Sequence, residues 1–201
     1  GRADGVYITT AGLGWVPDGL TISPAQVQTG DVVLVSGDLG RHGMAVMAAR
    51  ESLQVETALE SDCAPLHGPV QALLDAGVAV HCLRDITRGG LAAVLNEIAM
   101  ASGHQVLCEE SAIPVDGAVR GVCEILGLDP LQVACEGRFC AIVSAASADL
   151  ALSVLRAHRM DAARIGTVGP PETAPLVTLK TALCSHRVLD MPRGELLPRI
   201  C

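Results

Sequence analysis

A sheet with helices packed against it in layers is the fold this 201-residue sequence predicts. Three observations predict it. Short β-branched runs alternate with helical segments along the whole chain, the pattern of strands and helices that share one core. Glycine-containing loops separate the two kinds of segment. Half the residues are apolar and only 18% are charged, which supplies apolar surface for a substantial core. Tyr7, Trp15 and Phe139 are the only aromatics, so Val, Leu, Ile and Ala must fill that core.

Each element follows in order. The opening DGVYITTAGLGWVP reads as a β-branched strand ending in a glycine-rich turn. A loop through Pro24 leads to TGDVVLVSG, residues 29–37, a run bounded by glycines that reads as a buried strand. DLGRHG is a loop into GMAVMAARESL, which has helical composition. PLHGPVQALLDAG predicts a helix that stops at Gly77, and VAVHCL predicts a strand. RDITRGG is a polar loop before the helix LAAVLNEIAMASG, and HQVLCEES is the next strand. DGAVRGVCEILG is a helix closed by Gly127. GRFCAIVSA is the clearest late strand, with Ser147 as the cap of the helix ADLALSVLRAH. RIGTVGPPETAPLVTL predicts two short strands across a proline-rich turn.

The first strand has no partner strands before it, and a lone strand leaves its edges unpaired. The chain also starts on glycine rather than methionine. We therefore expect residues 1–29 to be the last strand and linker of an upstream domain absent from this chain. Residues 30–190 are then the complete domain, and 191–201 a mobile tail.

Charge and cysteine usage narrow the function classes. With 22 acidic and 14 basic residues the net charge is −8, which argues against a nucleic-acid-backbone binder. No apolar run approaches the ~20 residues of a membrane-spanning helix. The eight cysteines stand at 63, 82, 108, 123, 135, 140, 184 and 201, without a CxxC pair. Disulfide frameworks belong to small domains that lack a core, whereas most of these cysteines sit in apolar contexts. Buried, reduced thiols and a cytoplasmic location are the expectation. CEGRFC lacks zinc-ligand spacing, so no metal site is assigned.

Four loops and the tail hold the candidate chemistry. SGDLGRHG sets three glycines, Asp38 and His42 between a strand and a helix. Such glycines allow positive φ and close backbone approach, and a helix N-terminus favours anions. An ordinary tight connection would use the same residues. In RDITRGGL, Asp85 or Thr87 caps the helix in one reading, and the loop lines a cleft in the other. ESDCAPL offers the same choice between a loop facing a cleft and a plain helix entry. ACEGRF sets Glu136 beside a glycine just before a strand, as a solvated carboxylate or as a general base. The chain ends in GELLPRIC, and nine residues from Arg193 to Cys201 reach about 30 Å when extended. Pro192 and Pro198 keep this segment out of a helix. A terminal thiol suits a structural disulfide, a redox or metal role, or a carrier arm. Arg199 is the one cation close to it, while the terminal carboxylate disfavours the thiolate.

Taken together, GDVVLVSGDLGRHG, LRDITRGGLAAVLNEIA, AVRGVCEILGLDPLQVACEGR, RIG and the terminal PRIC resemble the HypE family. These are the carbamoyl dehydratases of nickel–iron hydrogenase maturation, in one ATP-using superfamily with aminoimidazole ribonucleotide synthetase and selenophosphate synthetase. The resemblance runs from Gly1 to Cys201. It implies the carboxy-terminal α+β domain of the aminoimidazole ribonucleotide synthetase-like fold, a mixed β-sheet flanked by helices. It further implies that Cys201 is a carrier thiol, carbamoylated by a partner carbamoyltransferase, and that ATP-dependent dehydration leaves a thiocyanate. Glu136 matches a family glutamate and is assigned as the base. Asp38, His42 and Asp85 match motif positions and are assigned to the cleft or the nucleotide side. ATP, with Mg, is expected mostly on the absent domain, so this chain alone is expected to be inactive. Cyanide would pass to an iron-carrying maturation scaffold, and a homodimer is expected. Two other readings stay open: an ATP-independent docking domain for maturation partners, and another phosphoryl-transfer enzyme of the superfamily.

Overall fold

The run Val32–Val35 is four apolar residues long, too short for a helix and β-branched at three positions, so it forms a strand buried on both faces. In the computed structural model, which describes Gly5, Ile8, Thr9 and residues 11–51 and 59–192, this strand, β1, lies at the middle of the domain. After it come α1 (Arg41–Arg50), α2 (His67–Asp75), β2 (Val80–Asp85), α3 (Gly90–Ser102) and β3 (His104–Glu109). The remainder is α4 (Gly117–Leu126), β4 (Phe139–Val143), α5 (Ala148–Ala157), β5 (Ala163–Pro171), β6 (Val177–Lys180) and β7 (His186–Val188). The strands form one sheet in the order β2-β4-β1-β5-β3-β6-β7. Neighbours are antiparallel except β3 and β6, so the sheet is mixed, as expected.

Strand alternation splits the core into two layers. Val33 and Val35 of β1, with Ile142 of β4, face α3 through Leu91, Leu95 and Ile98. Val32 and Leu34, with Ala141 and Val143, face α2 and α5 through Leu73, Ala151 and Leu155. A smaller cluster joins α1 to α4 through Met44, Met47, Val119 and Val122. Helices on both faces leave the loops at the strand ends as the places where polar side chains gather.

The strand expected within DGVYITTAGLGWVP falls largely outside the described residues; among those described, Ile8, Leu13, Trp15 and Val16 are exposed. Residues ahead of Gly30 also contact the sheet and core: the Ser23 N–H donates to the His81 carbonyl, and Val27 is buried. Ser147 does precede α5, but its backbone is helical and its hydroxyl accepts instead from the Ala79 N–H at 3.2 Å. β7 had no counterpart in the sequence reading, since three residues of HRV carry little apolar signal.

Five of the described cysteines, 82, 108, 123, 135 and 140, are buried and free, whereas Cys63 and Cys184 are exposed and free. Burial pushes the thiols of Cys108 and Cys135 up to about 12 and that of Cys123 up to about 11. Thiol titration of the native protein at neutral pH should therefore give fast reaction only at Cys63, Cys184 and, outside the described residues, Cys201. All eight should react after denaturation under non-reducing conditions. Fewer than eight in the denatured state would reveal disulfides and contradict the reduced core.

Candidate active site

Three chain segments meet at one end of the sheet because the strand before each of two loops flanks β4. The loop after β1 runs through Asp38 to Gly40, and the loop after β2 through Ile86 to Gly89. Between them lies Ala134–Arg138, which leads into β4. Its backbone is tied to both sides. The Cys135 N–H donates to the Ile86 carbonyl at 2.8 Å, and the Ile86 N–H to the Arg138 carbonyl at 3.0 Å. On the other side the Gly43 N–H donates to the Ala134 carbonyl at 3.0 Å, and the Gly40 N–H to Cys135 Sγ at 3.2 Å. Glu136, half-buried, therefore stands between the starts of α1 and α3.

Both helices start on a left-handed glycine, Gly40 with φ 78° and Gly89 with φ 78°, and neither has a side-chain cap. Capping of α3 by Asp85 or Thr87, one of the two readings of this loop, is thus corrected. The Thr87 hydroxyl donates to Asp85 Oδ2 at 3.0 Å, and Arg84 Nη1 to Asp85 Oδ1 at 2.8 Å, which turns both side chains away from the helix end. Asp85 remains half-exposed at the end of β2, paired in register with Phe139.

Asp38 holds the loops together by charge. Its Oδ1 receives Arg138 Nη2 at 2.7 Å and its Oδ2 receives Arg41 Nε at 2.8 Å, while Arg41 also reaches Asp116 at 3.2 Å. Burial disfavours the Asp38 carboxylate, but hydrogen bonds and charge from Arg138 and Arg41 outweigh it and hold the group below its usual 3.8. With both oxygens engaged, Asp38 acts on the shape of the site. His42, second residue of α1, meets the Ser61 hydroxyl through Nδ1 at 2.8 Å. Its buried Nε2 has no partner among the described residues.

The sequence reading missed Arg41, Arg138 and Asp62. ESDCAPL is not a helix start: α2 begins at His67 after an uncapped Leu66. Ser61 instead meets His42, and Asp62 Oδ1 accepts the Glu136 N–H at 2.7 Å. The tail approaches the same end. Asn96 of α3 donates to the Leu189 carbonyl at 2.9 Å, and Pro192 lies beside Gly89, 3.6 Å from where a Cβ on that glycine would stand. Cys201, with residues 193–201, lies outside the described residues. A cleft of about 450 Å³ opens elsewhere, on the β3, β5 and β6 surface by Arg164, Lys180 and His186, and involves none of these side chains.

A mixed sheet layered by helices, with two strand–loop–helix units closing on one glutamate, defines a domain that presents polar loops from one edge. Residues 28–175 match the family model described as AIR synthase related protein, C-terminal domain, and the chain belongs to that family. Among relatives, it is 47% identical over 203 residues to the carbamoyl dehydratase HypE of Cupriavidus necator. That match covers 100% of this chain and 58% of the relative, so the chain spans little more than half of the relative's length. A hydrogenase maturation protein HypE solved in complex with ATP is similar at 41% identity, with a TM-score of 0.83 over 90% of this chain and 55% of that one. The HypE–HypF complex gives 41% identity and a TM-score of 0.81 over 87% of this chain and 57% of that one.

The Asp38 ion pairs generate a pH-dependent prediction. A carboxyl held below its unfolded value contributes stability that is present above about pH 4 and is lost as pH falls through the folded value. Asp38→Asn should therefore lower stability by about 1–3 kcal/mol at pH 7, with the deficit shrinking below about pH 4. Denaturant melts of both proteins across that range test it. A deficit independent of pH would contradict the ionic account.

Proposed function

We propose that this chain is the carboxy-terminal part of an ATP-dependent carbamoyl dehydratase of nickel–iron hydrogenase maturation. Support comes from its 47% identity to a protein of that name and from its likeness to HypE structures solved with ATP and with HypF. The single observation that carries the reading is the course of the chain end. Pro192 runs beside Gly89, and nine residues later the sequence ends in Cys201, within reach of Glu136.

In this reading Cys201 receives a carbamoyl group from a carbamoyltransferase partner, the role we give to a protein of the HypF kind. The product is a thiocarboxamide. Its amide oxygen takes the terminal phosphoryl group of ATP, ADP leaves, and one nitrogen proton is lost. Breaking the carbon–oxygen bond then releases phosphate, and loss of the second nitrogen proton leaves the S-cyanate. Glu136 accepts a nitrogen proton as general base. Tethering the reacting group on a carrier arm raises its effective concentration and retains the reactive intermediate. The arm afterwards hands cyanide to an iron-carrying scaffold.

Asp38, with Arg41 and Arg138, shapes the cleft edge, and His42 braces the 61–63 turn. Asp85 stands on the nucleotide side. Among the described residues no group of three His, Cys, Asp or Glu could hold a metal ion. We assign the Mg that accompanies ATP, with most ATP contacts, to the part of the protein outside this chain. On its own, this chain should lack dehydratase activity. A homodimer and a cytoplasmic location complete the proposal.

The test uses the full-length protein with its carbamoyltransferase system. Glu136→Gln keeps the side-chain shape but removes the proton acceptor, and should slow dehydration by about 10²–10⁴-fold. Carbamoylation of the tail should persist, and Cys201→Ala serves as the unmodified control. Intact-mass measurement reads both steps. Normal S-cyanate formation by Glu136→Gln would exclude Glu136 as the base.

A further inference from the structure

We propose that Asp62 is the positioning residue for Glu136, an inference that rests on reading Glu136 as the base. Asp62 is only 7% exposed, and its Oδ1 accepts the Glu136 N–H at 2.7 Å across 74 residues of sequence. That N–H lies ahead of β4 and outside its ladder, so Asp62 is what fixes it. The two backbones also touch directly. A Cβ on Gly137 would overlap the Asp62 carbonyl and would stand 2.9 Å from the Ala64 nitrogen. Only glycine permits this approach.

The second oxygen, Oδ2, is fully buried and has no partner among the described residues. Leaving a buried acceptor unsatisfied costs about 1–3 kcal/mol. A residue that merely filled this space would be apolar. The fold instead keeps a carboxyl group whose one hydrogen bond among the described residues is to the backbone of Glu136. Among the described residues no hydrogen bond holds the Glu136 carboxylate itself, so its direction is set through its backbone. The turn that carries Asp62 is braced in the same manner: the Cys63 N–H donates to the Ser61 hydroxyl at 3.1 Å, and that hydroxyl meets His42 Nδ1. His42 thus supports Glu136 at two removes, through Ser61 and Asp62.

A positioning role makes three demands of the full-length protein assayed with its carbamoyltransferase system and ATP. Asp62→Ala and Asp62→Leu, which lack the acceptor, should dehydrate at least about tenfold more slowly with tail carbamoylation unchanged, since small misplacements of a catalytic group carry losses of this size. Asp62→Asn retains an acceptor oxygen and should stay within about threefold of the parent. Combining Asp62→Leu with Glu136→Gln should add no loss beyond Glu136→Gln alone, because one residue acts through the other. Normal dehydration by Asp62→Leu beside an impaired Glu136→Gln would overturn the positioning role alone. Normal dehydration by Glu136→Gln would overturn the base reading beneath it. Equal impairment of Asp62→Asn and Asp62→Leu would also refute the proposal. So would failure of the Ala and Leu variants to fold while Asp62→Asn folds, since the bond would then be structural.

Discussion

The functional end of this domain depends on one strip of backbone, Ala134–Arg138, being held from both sides before it becomes β4. Ile86 binds it on one side, and Gly40 and Gly43 on the other. The ties are possible because β4 lies between β2 and β1 in the sheet. Two strand–loop–helix units therefore deliver their loops to the same place. Glycine makes the approach close enough. A Cβ at Gly90 would stand 2.5 Å from the Leu131 carbonyl, and φ there is +62°. Bulk at this point would push residues 131–133, which lead directly into the strip, and shift Glu136 with them.

Charge reinforces what the backbone sets. Arg138 follows Glu136 by two residues and reaches back to Asp38, which also holds Arg41. Partly buried ion pairs of this kind tolerate no removal of one partner, because the remaining charge loses its compensation. Asp62 and His42 are a different case. Each keeps a buried polar atom with no partner among the described residues. Such atoms weaken a fold, and they gather here on two residues that brace the strip rather than in the core.

Much of this was legible in the sequence. Short apolar, β-branched runs marked β1, β2, β3 and β4, and Gly77 and Gly127 marked helix ends, because these signals are local. Glu136, Asp38, His42 and Asp85 stood out as polar residues beside glycines in loops between strong elements, and the structure brings all four to one end of the sheet. What they touch was not legible. Asp62 meets Glu136 across 74 residues and Arg138 meets Asp38 across 100, and no local pattern encodes such contacts. Helix starts misled for a related reason. Ser, Thr and Asp favour caps in general, yet here left-handed glycines start α1 and α3 while Ser61, Asp62 and Thr87 form contacts elsewhere. β7 depends on β6 for its ladder and has too few residues to announce itself.

The central claim is that the terminal thiol is delivered to Glu136. Oxidative cross-linking of full-length Glu136→Cys tests it most directly, because a disulfide forms only when the two Cα atoms come within about 7 Å. Peptide mapping should find Cys201 joined to the thiol introduced at position 136. Exposed Cys184, on the turn between β6 and β7, serves as an internal competitor. Cys201 joined chiefly to Cys184, or left unpaired while the introduced thiol remains reactive, would contradict the account.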